Sequence, residues 1–332
     1  MTSEASVEVA TAGGDRLRDA VQFLLKYGIL VLFLLLVVIL AITSKNFLSI
    51  ANVTNVLLQT SVIGVIAIGM TFVIITGGID VSVGSVVAVA SAAGVGLIKF
   101  MGAPWWLGMV CIVLVGLVFG LINGVSVTYL RMPAFLVTLS TMGIGRGLTL
   151  VMSGGRSWHA LPPQFGAIST TTIAGFPVLI PAVVLMYVVS YGVLQRTAYG
   201  RKLFAVGGNK EAARVSGIST KTIEMITYVV CGSLAGVAAI FQTARLNSFW
   251  AAMGTGFEFQ AIAAVVIGGT SLAGGIGTTW GTLMGVLLMG VINNALNLWG
   301  IPANWQDVAR GTIIFIAVML DALRTRYLRT ES

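Results

Sequence analysis

The chain has 332 residues, 57% of them hydrophobic and only 9% charged. Soluble domains carry about 25% charged residues, so the composition excludes an ordinary soluble enzyme and specifies an integral membrane protein. The net charge of +8 lies in short segments beside apolar runs, where basic residues set orientation, so it does not imply a nucleic-acid partner.

Residues 1–23 are a polar tail expected to be disordered and cytoplasmic. A single transmembrane domain is expected over 24–328. Lys26 leads into Tyr27–Ser44, which carries no charge, and the apolar run ending at Ile42 is too long for a signal-peptide core and long enough for a retained first span. A second span ends near Thr76, where Gly77-Gly78-Ile79-Asp80 interrupts it. Residues 81–98 form the third, and Lys99–Trp106, with Pro104 and two Trp, reads as an interfacial turn. Leu107–Leu130 is the fourth and Ala134–Met152 the fifth, with Arg146 inside it. Ser153–Thr172 is a polar loop carrying the single His159, more in keeping with a surface residue than a ligand. Ile173–Leu194 is the sixth span and Ile223–Ala244 the seventh. Residues 259–306 carry no formal charge. One span needs about 20 residues, so this run is read as two spans around the glycine-rich Gly268–Gly281. Asp307–Leu323 is the last.

Apolar segments of this length cross hydrocarbon as helices, whose backbone bonds close within the segment. The expectation is therefore an all-α, polytopic bundle of about ten transmembrane helices with both termini cytoplasmic. That orientation places Arg16, Arg18, Lys26, Arg131, Arg196, Arg201, Lys202, Lys210, Arg214, Lys221, Arg324, Arg326 and Arg329 inside. It leaves Lys45, Lys99, Arg156, Arg245 and Arg310 outside, as the bias of cytoplasmic loops toward Lys and Arg requires.

Residues 196–224 are a polar island between apolar spans, and such a segment has to lie in water. Asn209 is a good N-cap, Glu211 falls in the first turn, and Gly217 can close a helix in the left-handed conformation. The spacing predicts a short capped helix over Asn209–Gly217. Spacing alone leaves open whether it is an ordinary solvated turn or a docking element.

Most of the 41 glycines are packing residues. The breaks at Gly77–Gly84 and Gly268–Gly281 also fit a pathway or gate, because broken helices at matched places often line one. Val73-Ile-Ile-Thr-Gly-Gly and Val265-Val-Ile-Gly-Gly-Thr both end spans in glycine, a match short enough to arise by chance. Asp80 reads as the N-cap of the third helix, or as a gate residue. Asn123, Gln260, Asn293, Asn294 and Asn297 are neutral groups in or beside apolar spans, able to bond a neighbouring helix or an uncharged solute such as a sugar. Arg146 can snorkel or pair within the bundle. Arg245 and Glu258, placed near the outer face, are candidates for a docking surface. Cys111 and Cys231 lie in apolar segments without paired spacing, and one His excludes a multi-His metal site. No catalytic constellation and no phosphate-binding G-x-x-x-x-G-K-[ST] loop occurs, so any ATP that drives the protein must bind another chain.

The island resembles the coupling loop of ABC-importer permeases, in which Glu-Ala-Ala is followed by a Gly four residues after the second Ala. Here these are Glu211-Ala212-Ala213 and Gly217. The Leu-Pro that closes the motif in some ABC permeases is absent. The whole chain looks like the ribose-type sugar permease family through Ala67–Thr71, Gly78–Ser85, Gly200–Ala213, Ala244-Arg245-Leu246, Gly254–Gly275 and Asn293-Asn294. The resemblance implies a multi-pass permease of the bacterial inner membrane, paired with a second copy or a related permease. Two ATP-binding subunits, which hold ATP and magnesium, and a periplasmic or lipid-anchored sugar-binding protein complete the implied assembly. This chain would then hold no cofactor. The resemblance makes Gly207, Gly208, Asn209, Glu211, Ala212, Ala213 and Gly217 an ATPase-coupling loop that carries a coupling helix. The implied cargo is a monosaccharide: a pentose, a hexose or a related polyol. The open alternatives are another small polar solute such as a branched-chain amino acid, or an ion-coupled secondary transporter.

Overall fold

The structure, a computed structural model, describes residues 28–173 and 175–330. The tail expected over 1–23 lies outside them. Contacts divide the chain at Lys45. In the first part, helix α1 spans Gly28–Thr43 and is apolar along its length.

The second part, from Asn46, is a helical bundle. Its elements are α2 (Ile50–Ile75), α3 (Val83–Met101), α4 (Trp105–Thr128), α5 (Ala134–Ser153), α6 (Pro163–Thr170), α7 (Leu179–Arg196), α8 (Ala198–Gly208), α9 (Lys210–Val215), α10 (Thr220–Leu246), α11 (Phe257–Ile267), α12 (Thr279–Leu298) and α13 (Ala303–Thr330). Among the described residues, seven helices are long and apolar enough to cross a membrane: α2, α3, α4, α5, α7, α10 and α12. Helix α11 is apolar but shorter. The protein is a mostly helical, multi-pass membrane protein.

Two short strand pairs tie loops together. Strand β1 (Trp158–His159) pairs antiparallel with β4 (Ser248–Phe249), Trp158 opposite Phe249. Strand β2 (Thr172–Ile173) pairs with β3 (Phe176–Pro177). The sixth span, expected to begin at Ile173, therefore begins at Leu179 instead. Gly175, at φ +85°, turns the chain where an L-residue would be strained, and the apolar residues before Leu179 are used in the hairpin.

Helix α2 is the centre: 89% of its apolar window is buried, against 28% for α5 and for α7. Helix α10 packs along α4, α2 and α3. Against α4 the contact is glycine on glycine, since a Cβ on Gly232 would lie 2.7 Å from the Gly120 backbone. Small residues allow that approach where no hydrophobic force drives helices together in lipid. Helices α2 and α12 run antiparallel. Asn52 at the start of α2 exchanges two amide hydrogen bonds with Asn294 near the end of α12 (3.0 and 2.8 Å). At the other end the Thr71 and Thr282 hydroxyls bond at 2.8 Å. These two bonded levels are about 28 Å apart along α2 at 1.5 Å per residue, close to the thickness of the hydrocarbon core.

Candidate functional site

The polar island folds as two helices. Helix α8 starts at Thr197, whose hydroxyl accepts from the Gly200 N–H (3.1 Å). Helix α9 starts at Asn209, whose Oδ1 accepts from the Ala212 N–H (2.9 Å), as its sequence anticipates. At the other end the Gly217 N–H donates to the Arg214 carbonyl and the Ile218 N–H to the Ala213 carbonyl, each at 3.0 Å. Gly217 has φ +80°. This is the Schellman arrangement, which satisfies carbonyls left over at a helix end. Glu211 and Arg214 pair along the exposed face, with Arg214 Nε 3.0 Å from Glu211 Oε2. The hydrogen bond and charge of Arg214 hold the Glu211 carboxyl below the usual carboxylate range. Ala213 is buried, Ala212 is exposed, and Val215 is 77% exposed. Val215 is an apolar group offered to water on a short helix. Sequence reading passed over it, because its exposure depends on which face of α9 turns inward.

Beneath α9 the island joins the bundle at several points, two of them next to the helix. Lys210 Nζ contacts both carboxylate oxygens of Glu224 at the start of α10, at 2.7 and 2.8 Å. Glu224 is buried, while the Lys210 side chain is 60% exposed. The second joint is made of backbone. The Gly275 N–H donates to the Ile75 carbonyl at the end of α2 (2.8 Å). A Cβ on Gly207 would fall on that same carbonyl oxygen, and one on Gly275 would lie 2.8 Å from the Gly208 Cα. Gly274 and Gly275 have φ +85° and +76°. Thus the end of α8, the end of α2 and the turn between α11 and α12 meet at a junction of glycines. Both breaks seen in the sequence reach it. Gly208 itself has open space around its missing Cβ.

The nominated pathway residues fall into two groups. Asp80 and Asn123 belong to one buried network. Asp80 Oδ1 accepts from the Ser82 N–H (2.9 Å) and hydroxyl (2.5 Å). The Asn123 amide donates to Ser82 Oγ (2.9 Å), and Asn123 Oδ1 accepts from the Thr141 hydroxyl (2.8 Å). The network ties the α2–α3 break to α4 and α5. Asp80 is not the N-cap of α3. Ser82 holds that position, and Asp80 closes a turn two residues earlier, because the chain needs those residues to leave Gly77 before α3 can start.

Gln260 and Asn293 form the other group. The Asn293 amide donates to Gln260 Oε1 (3.3 Å), and Arg310 Nε donates to Asn293 Oδ1 (3.0 Å). Thr60 and Gly290 line the same gap, which encloses about 10 Å³. That is room for no more than one water. This group sits level with the first half of α2, and Asp80 sits past its other end. Asn294 turns away from both, its amide occupied by Asn52.

Arg245 and Glu258 do not form a common surface. Arg245 is half-buried in the last turn of α10. Glu258, expected near the outer face, is 5% exposed, and its Oε2 lies where a Cβ on Gly84 would be. The segment 250–256 turns back into the bundle before α11 starts, so this carboxylate is covered by the chain itself. Arg146 donates to the Met253 carbonyl (2.6 Å) in that segment, pairing within the bundle rather than snorkelling. Cys111 and Cys231 are free thiols. Among the described residues, no group of three or more His, Cys, Asp or Glu could hold a metal.

Comparison with known proteins agrees with the motif reading. Residues 52–318 match the family model described as "Branched-chain amino acid transport system / permease component". The ribose import permease protein RbsC of Haemophilus influenzae is 38% identical over 304 residues, covering 90% of this chain and 94% of that protein. RbsC of Bacillus subtilis is 41% identical, covering 86% and 89%. The D-allose transport system permease protein AlsC of Escherichia coli is 35% identical, covering 90% and 92%. No solved structure matches the chain.

Proposed function

The chain belongs to the branched-chain amino acid transport system permease family, and from that premise we propose that it is the membrane subunit of an ATP-driven ABC importer for a monosaccharide. The relatives named for ribose and allose cover nearly its whole length. The observation that carries the mechanism is the capped, exposed helix α9, joined to the bundle by the Lys210–Glu224 pair and the glycine junction. In this reading α9 seats in a groove of an ATP-binding partner, with Glu211, Ala212, Arg214 and Val215 toward it. Closure of the partner on ATP moves α9. The ion pair passes that motion to α10, and the junction passes it to the ends of α2 and of the α11–α12 turn. The path opens where Gln260 meets Asn293 at one level and Asp80 meets Asn123 at the other. The amides and hydroxyls there, with the Asp80 carboxyl and the Arg310 guanidinium beside them, can bond the hydroxyls of a sugar.

The finer topology follows the same reading. Ten spans result if α1, α11 and α13 join the seven long helices, with both termini and α9 on the cytoplasmic face of the plasma membrane. A sugar-binding protein delivers cargo to the opposite face, and a second permease copy completes the pair.

The deciding experiment is a gentle detergent pull-down with uptake of labelled ribose into vesicles. An ATP-binding chain that co-purifies with the wild type and is lost in Glu211→Lys, with uptake falling at least tenfold while the variant stays inserted, supports coupling through α9. Uptake of leucine in place of ribose would transfer the reading to amino acids, which the family description names. Uptake driven by an ion gradient without ATP would end it.

A further inference from the structure

A groove between α2, α7 and α10 plays no part in the transport reading. It has a volume of about 590 Å³ and apolar walls that include Phe72, Val189 and Val230, with Tyr199 of α8 also lining it. It runs along α7 from Leu185 to Val193 and along α10 from Ile226 to Leu234. Eight residues of helix rise about 12 Å, close to one leaflet of a hydrocarbon core about 30 Å thick. A second copy of the chain packed here would be expected to use the full length of the span, whereas a lipid tail needs one leaflet.

Two further observations point to the ligand. Ser190 lines the groove, is 4% exposed, and its hydroxyl has no hydrogen-bond partner. A buried polar group without a partner is costly, and a ligand acceptor would remove that cost. At the α8 end the charge is positive. Arg196 lies three residues past Val193, and Lys202 three past Tyr199, which places each on the same helix face as its groove residue. Arg196, Arg201 and Lys202 are all exposed, and none has an ion-pair partner among the described residues.

We propose that the groove binds an acyl chain of an anionic phospholipid, its phosphate held by Arg196 and Lys202, with Arg201 adding positive charge nearby, and its ester carbonyl accepting from Ser190. The lipid would stiffen the α7–α8 corner from which α9 projects.

The test uses the full-length protein, stripped of lipid by detergent exchange and then offered dioleoyl phosphatidylglycerol or dioleoyl phosphatidylcholine, with retained lipid read by native mass spectrometry. Phosphatidylglycerol should be retained at least tenfold over phosphatidylcholine. The triple variant Arg196→Gln, Arg201→Gln, Lys202→Gln should lower it to the phosphatidylcholine level, and Ser190→Trp, which fills the groove, should reduce both lipids. If Ser190→Trp does not fold, the triple variant decides, because its changes are on exposed positions. Equal retention of the two lipids, or full retention by the triple variant, overturns the proposal. So does efficient cross-linking of two copies through Val189→Cys, which would make the groove a protein interface.

Discussion

Helix α9 and the glycine junction beneath it are built in opposite ways. The ends of α9 are set by neighbours in sequence: Asn209 caps Ala212, and Gly217 and Ile218 close onto Arg214 and Ala213. The junction is made by Ile75, Gly207 and Gly275, which are far apart in the chain and meet backbone to backbone. A local device tolerates change because water can replace any one bond. A packed backbone contact tolerates almost none, because a carbonyl in the bundle cannot yield as a flexible side chain does. An exposed helix thus stands on a base with no slack, which is the arrangement that the proposed coupling through α9 requires.

That contrast can be broken or sharpened by substitution. The largest effect is expected from Gly207→Ala, whose Cβ would fall on the Ile75 carbonyl. A loss of about 3 kcal/mol, the upper end for over-packing, should appear in a thermal melt in detergent, and a melt like the wild type's would refute the junction. Lys210→Met comes next. It leaves the buried Glu224 without its partner, at a cost of about 1–2 kcal/mol. The cost falls below that of breaking a fully buried pair because Lys210 is 60% exposed. The double variant with Glu224→Gln should recover part of that loss. Asn209→Ala removes only a cap, worth about 1 kcal/mol. Hydrogen exchange in α9 should quicken about fivefold while α10 stays unchanged, and quickening in both would mean that the helix and its base are one unit. The smallest effect is expected at Asn294→Ala, about 0.6 kcal/mol as for other hydrogen bonds between membrane helices, measured by the same melt.

Legibility in the sequence follows the same division. The capped helix at Asn209–Gly217 was readable because caps are read within a few residues. The membrane class was readable because apolar length measures hydrocarbon thickness. Which apolar helix lies at the centre was not. Helices α2 and α4 are similarly apolar, yet nearly all of the apolar stretch of α2 is buried and only a third of that of α4. In lipid both faces of a helix can be apolar, so no stripe marks the inner one. Glu258 misled for a related reason. A charge next to an apolar run reads as interfacial, and only the turn of 250–256 back into the bundle shows that it is buried. Asp80 was found, but the network around it was not, because Asn123 and Thr141 join that network from α4 and α5.

The sequence by itself determined that the chain crosses a membrane many times, that a basic island lies in water with a short capped helix in it, and that its motifs are those of ribose-type permeases. All of these depend on runs and spacings that local physics reads directly. Only the tertiary structure decided that the two glycine-rich breaks and the island meet at one junction, that the buried amides divide between two levels, and that Glu258 faces inward. Those facts depend on which of many apolar surfaces pack together, and in a chain apolar nearly throughout that choice is made by small residues and paired polar groups hundreds of positions apart.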